Sequence, residues 1–180
     1  MRRKRDLTVG EWAVLALLCE RPMHGYALGL AMAADGELGQ IWSLKRPLAY
    51  RALKVLESME LIEVAAVLPG RQAPDRTELH ATPTAERMVA RWLETPEPHV
   101  RDLRSALLLK LQLLHRRGRS PIALLTAQRE LLSTQAEALA GDAGHGRPDA
   151  LVQHWRRTMT EAALRFVDER LAAEQVTASG

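Results

Sequence analysis

Between Lys45 and Lys54 the chain reads KRPLAYRALK, with four cations, one tyrosine and no acid in ten residues. On a helix, Ala49, Ala52, Leu53 and Leu56 follow the i, i+3, i+4, i+7 spacing of a buried stripe. Tyr50, Arg51 and Lys54 then fall on the opposite side, next to Lys45 and Arg46 at the start. Arginine and lysine pair with phosphates or read guanine edges, and a phenol hydroxyl can bond a phosphate. Further on, a turn and the segment after it carry Arg71 and Arg76. The chemistry these residues offer is reversible ion pairing and hydrogen bonding to a polyanion. Cations on a helix face are often only solvated, so the elements around them decide whether they have a partner.

Other chemistries find less support. The six histidines are scattered, and none has a neighbour at metal-ligand spacing. No nucleophile–base set is present, and GHG at 144–146 lacks the rest of a phosphate-binding loop. The expectation is therefore no enzyme, no cofactor and no structural metal. Cys19 is the single cysteine, which rules out a disulfide within one chain and suits a reducing cytoplasm. It ends an apolar helix and reads as packing rather than as a redox sensor. Three of the four tryptophans, Trp12, Trp92 and Trp155, read as packing or as a pocket for a small aromatic or drug-like effector.

The positioning elements follow from periodicity and punctuation. Thr8 is a suitable N-cap for a helix to Cys19 that is apolar nearly all round. RPMHGY breaks it, His24 and Gly25 shape the entry to a second helix reaching about Ala34, and Tyr26 is expected to pack against the core. DGELG is a loop. Pro47 suits the first turn of the third helix, which ends near Met59-Glu60. LIEVAAVL alternates, with Ile62, Val64, Ala66 and Leu68 on one face of a strand. PGRQAPD is turn chemistry, and RTELHA is a second strand with Thr77, Leu79 and Ala81 on one side. Thr82-Pro83 opens a helix to about Leu93.

ETPEPH is a proline-rich hinge, and the remainder reads as three helices: about Val100–Arg117, Pro121–Ala140 and Asp149–Ala173. The expected fold is mainly α with a small β-hairpin wing. A winged helix-turn-helix domain at 1–94 precedes an α-helical dimerisation domain, with a possible effector role, at 95–180. In that architecture the later helix of the pair presents its exposed face to the DNA major groove.

Leu103, Leu107, Leu111 and Leu114 form one stripe, and Ala106, Leu109 and Leu113 another. Two apolar stripes predict packing on both sides, and hence a homodimer through Leu107, Leu111, Leu114, Trp155, Met159 and Phe166.

Charge gives a weaker signal. The net charge is +3. Residues 1–94 hold 13 Lys or Arg and 12 Asp or Glu, and residues 95–180 hold 12 and 10. Any basic surface is thus a local face and not a basic half. RRKR at 2–5 reads as a solvated tail that adds salt-sensitive affinity. A signal peptide is not expected, because Glu20-Arg21-Pro22 stands where a small-residue cleavage site would lie. LLLKLQLL at 107–114 is too short to cross a membrane and contains Lys110.

Taken in order, RPMHGYAL, PLAYRALKVLESMELIEV, the hairpin and VRDLRSALLLKL resemble the PadR-like transcriptional regulators over roughly residues 9–115. The resemblance implies a cytoplasmic homodimeric repressor on a roughly palindromic double-stranded DNA operator, released in some members by a small effector. It also implies a DNA contact for Tyr50. Three positions depart from the family pattern. Glu60 stands where glycine is usual, Leu79 lies near a usual aromatic, and Ala85 replaces a common glycine. The alternative reading is a winged-helix protein-interaction module without specific DNA binding.

Overall fold

The structure is a computed structural model that describes residues 6–69, 76–141 and 150–178. RRKR, Arg71 and the turn and loop expected around 70–75 and 142–149 lie outside the described residues. The chain divides into two compact units. One comprises the described residues up to Leu93 with Leu108–Leu113, and the other Glu94–Leu107 with the described residues from Leu114 onward. Leu108–Leu113 thus joins the first unit, although a single boundary at 94/95 assigns it to the second.

In the first unit, α1 spans Val9–Glu20 and opens with a capping box. Thr8 N–H donates to Glu11 Oε2 at 2.8 Å, and Glu11 N–H donates to Thr8 Oγ1 at 3.3 Å. Ala13 to Leu18 are all buried, as the all-round apolar pattern implies. Helix α2 is shorter than the sequence suggests, Gly25–Ala31, and α3 spans Arg46–Ser58. The buried residues of α3 are Ala49, Ala52, Leu53 and Leu56, the four of the apolar stripe.

Strands β1 (Ile62–Leu68) and β2 (Arg76–Ala81) form an antiparallel hairpin, and α4 (Pro83–Glu94) comes next. Thr82 caps α4 through Ala85 N–H and ties it to the residue before β1 by donating its own N–H to Leu61 O at 3.0 Å. Met23 extends the hairpin by one residue. It exchanges two backbone hydrogen bonds with Leu79, at 2.9 and 3.0 Å. The strand alternation is corrected by a bulge between Val64 and Ala66. The extra residue breaks the common face expected for Ile62, Val64, Ala66 and Leu68. Ile62 is buried, whereas Val64, Val67 and Leu68 are exposed on a hairpin that leaves the core.

The second unit begins with the segment read as a hinge. Gln128, fully buried, donates to Glu97 O at 3.0 Å and accepts from Glu97 N–H at 2.7 Å. One amide satisfies both backbone groups of Glu97, so the proline-rich stretch is pinned at that point. The helix expected over Val100–Arg117 is instead α5 (Val100–Asp102), a π-helical turn (Leu103–Leu107) and α6 (Leu108–Arg116). Helices α7 (Ile122–Gly141) and α8 (Ala150–Ala178) complete the unit.

Most of the leucine stripe residues are covered within the single chain. Leu103, Leu107, Leu109, Leu113 and Leu114 are all buried by the chain's own atoms, and Leu111 is half-buried. Both stripes are thus packed, as the two-sided apolar pattern implies, although a π turn interrupts the helix between Leu103 and Leu107. Exposed apolar surface lies on α8, at Leu151, Trp155 and Phe166. No helix among the described residues is long and apolar enough to cross a membrane.

Two helix ends share one geometry. After α6, Gly118 has φ +60°, with Gly118 N–H bonded to His115 O and Arg119 N–H to Leu114 O. After α3, Glu60 has φ +56°, with Glu60 N–H bonded to Glu57 O and Leu61 N–H to Leu56 O. Both are Schellman ends, where glycine avoids the Cβ penalty of the left-handed region. Glu60→Gly is expected to raise stability by about 1 kcal/mol in denaturant unfolding. A loss of stability would mean that the glutamate side chain outweighs its backbone strain.

Candidate nucleic-acid interface and ligand groove

Burial of the Ala49–Leu56 stripe leaves the other side of α3 outward. Lys45, Arg46, Tyr50, Arg51 and Lys54 are all exposed. Lys45 occupies the N-cap without a side-chain cap bond, and Pro47 sits in the first turn. The positive end of the helix dipole thus coincides with Lys45 and Arg46, an arrangement that favours anions. The only acid on α3, Glu57, stands in its last turn.

Helix α2 sets two of these side chains. His24 caps it, its Nδ1 accepting from Ala27 N–H at 3.1 Å. The next residue, Gly25, lies under Tyr50. A Cβ on Gly25 would stand 2.5 Å from Tyr50 Cε1, so only glycine allows the ring to sit there. Contrary to the core packing that the sequence suggests, Tyr26 is 49% exposed. The Arg46 guanidinium carbon lies over its ring, 4.9 Å from the centroid. No local pattern in the sequence marks this pairing, since it depends on how α2 crosses α3.

On the wing, Arg76 is exposed at the start of β2, paired with Leu68. The other cation expected on the wing, Arg71, lies outside the described residues. Glu63 on β1 lies 3.0 Å from His80 Nε2 on β2.

The tryptophans separate. Trp12 and Trp92 stack in the first unit, centroids 5.0 Å apart and planes 2° from parallel. Lys110 Nζ lies 5.0 Å from the Trp92 centroid, and Lys110 is 1% exposed. A flat ligand between the two indoles would need about twice the stacking distance, so the pair is closed on itself as it stands. Trp155 belongs to the second unit, 63% exposed, and lines a groove of about 820 Å³. Leu139 and Met159 supply more apolar wall. Arg101, Arg104 and Arg156 supply charge, and no Asp or Glu is among the described lining residues. Arg104 reaches this wall from the π turn, which sequence periodicity hides. Among the described residues, no group of three or more His, Cys, Asp or Glu could hold a metal ion.

No protein-family model matches the chain. A Mycobacterium tuberculosis protein named "probable transcriptional regulator" is 32% identical over 85 residues. That match takes in 47% of this chain and only 43% of the relative, so the chain spans under half of that protein's length. Among solved structures, Bacillus subtilis PadR in complex with operator DNA is similar at TM-score 0.48 and 21% identity, over 93% of this chain and 99% of that one. The same PadR with p-coumaric acid gives TM-score 0.44 at 20% identity, over 93% and 99%. A PadR-like transcriptional regulator from Bacillus cereus gives 0.43 at 16%, over 96% and 99%.

The seat at Gly25 makes a clean test. Gly25→Ala is expected to leave the fold intact, because the half-exposed Tyr50 ring can swing away. Affinity for a native operator should fall about tenfold, the value of one hydrogen bond to a charged group. Unchanged affinity with unchanged melting temperature would take Tyr50 out of the interface.

Proposed function

We propose that this chain is a sequence-specific, DNA-binding transcriptional regulator. The observation that carries the reading is the outward face of α3: four cations, a tyrosine and a dipole end, with no acid before Glu57, on the third helix of a winged helix-turn-helix. Lys45, Arg46, Arg51 and Lys54 serve as phosphate partners with some base reading, Tyr50 adds a hydrogen bond, and Arg71 and Arg76 place the wing against the adjacent backbone.

The active form is a homodimer that occludes a promoter at a roughly palindromic operator, since two-fold protein symmetry calls for two-fold half-sites. The exposed apolar residues of α8, Trp155 and Phe166 with half-buried Met159, support the second unit as the dimer surface. Repression, and release by an effector, follow the PadR-like resemblance of the motifs. For the effector, the closed Trp12–Trp92 pair gives way to the groove at Trp155. Its three arginines and apolar walls suit a small aromatic anion. No catalytic constellation accompanies these features in the sequence, and regulation needs none.

The test is fluorescence anisotropy with DNA from the chain's own upstream region, against scrambled DNA, over a salt series. Wild type is expected to prefer the native probe strongly and to weaken steeply with salt. Arg51→Ala with Lys54→Ala should weaken binding and lower the salt slope by about 2, one unit for each lost phosphate contact. An unchanged slope removes both residues from the phosphate contacts. No binding even at low salt favours a protein-interaction module instead.

A further inference from the structure

The first helix of the pair holds more than a scaffold. Tyr26 and Gly29 stand three residues apart on α2 and therefore share one face. Arg46 lies along that face. Its Cγ is 3.5 Å from where a Gly29 Cβ would be, and its guanidinium carbon is 4.9 Å from the Tyr26 centroid. The stem thus passes over Gly29 and the head lies on the Tyr26 ring, while Arg46 itself is exposed. Tyr26 is also exposed, so its ring is not there to fill the core. A guanidinium lying on an aromatic ring still has its in-plane donors available for a phosphate or a base edge.

We infer that Tyr26 is a positioning residue for DNA binding, its ring face holding the Arg46 guanidinium in place before DNA arrives. The inference rests on the reading of α3 as the DNA-facing helix. A free arginine gives up much of its rotamer freedom when it forms a contact, and the clamp takes part of that loss within the folded protein. Arg46 then acts as a fixed fork rather than as a mobile charge. His24, Gly25 and Tyr26 acquire three separate tasks: capping α2, seating Tyr50 and holding Arg46.

A double-mutant cycle on the full chain tests this, with the native probe and the salt series above. Tyr26→Leu is expected to lower affinity about two- to fivefold, the range of an exposed cation–π contact. In the Arg46→Ala background the same change should cost nothing. Tyr26→Phe keeps the ring and should bind as wild type does. Tyr26→Leu leaves the charge on Arg46, so the salt slope should hold, whereas Arg46→Ala should lower it by about 1.

An equal cost of Tyr26→Leu in both backgrounds would overturn the clamp. So would a loss in Tyr26→Phe as large as in Tyr26→Leu, because the hydroxyl and not the ring would then matter. Arg46→Lys guards against a folding defect at Tyr26, since it leaves α2 untouched. It should lose affinity while keeping the slope, and full affinity in Arg46→Lys would also overturn the clamp. If wild type itself binds no probe at low salt, the regulator reading fails, and the inference fails with it.

Discussion

The four-residue stripe of α3 governs what the first unit can do. Ala49, Ala52, Leu53 and Leu56 are buried together, and a helix that buries one stripe must turn the opposite one outward. Full burial of each leucine contributes roughly 1.5–3 kcal/mol, which fixes the rotation of α3 far more firmly than any surface contact could. The two alanines give little area but let neighbouring backbone come close. Leu61, just past the helix, is buried too, and its N–H bonds to Leu56 O, so the Schellman end and the stripe lock together. Lys45, Arg46, Tyr50, Arg51 and Lys54 face solvent as a consequence of that packing.

Helix α2 then refines the exposed face. Tyr50 lies on a glycine and Arg46 on a tyrosine, both contributed by the turn MHGYAL. The same turn supplies Met23, whose two hydrogen bonds to Leu79 fasten the wing's second strand. A six-residue segment thus links the exposed face of α3 to the hairpin. These contacts cost little in composition and leave no periodic trace.

That difference explains what the sequence could reveal. Period and punctuation exposed α1 with its Thr8 cap, the buried stripe of α3, the two strands and the Thr82-Pro83 opening of α4, because each depends on neighbours within a turn or two. Glu60 at a glycine-type helix end was legible for the same reason. The surface position of Tyr26 and the Trp12–Trp92 stack were not, since both depend on which faces of distant helices meet. The bulge at Val64/Ala66 and the π turn at Leu103–Leu107 each add one residue to a repeat, and a count along the sequence cannot see the insertion.

A dimer that places two copies of α3 on one DNA segment is the central claim. Footprinting of the purified protein on its own upstream DNA tests this most directly. It should show two protected half-sites of related, inverted sequence, their centres one helical turn apart, about 10 base pairs, or a small multiple of it. Uniform protection without preferred positions, or no protection at saturating protein and low salt, would contradict it.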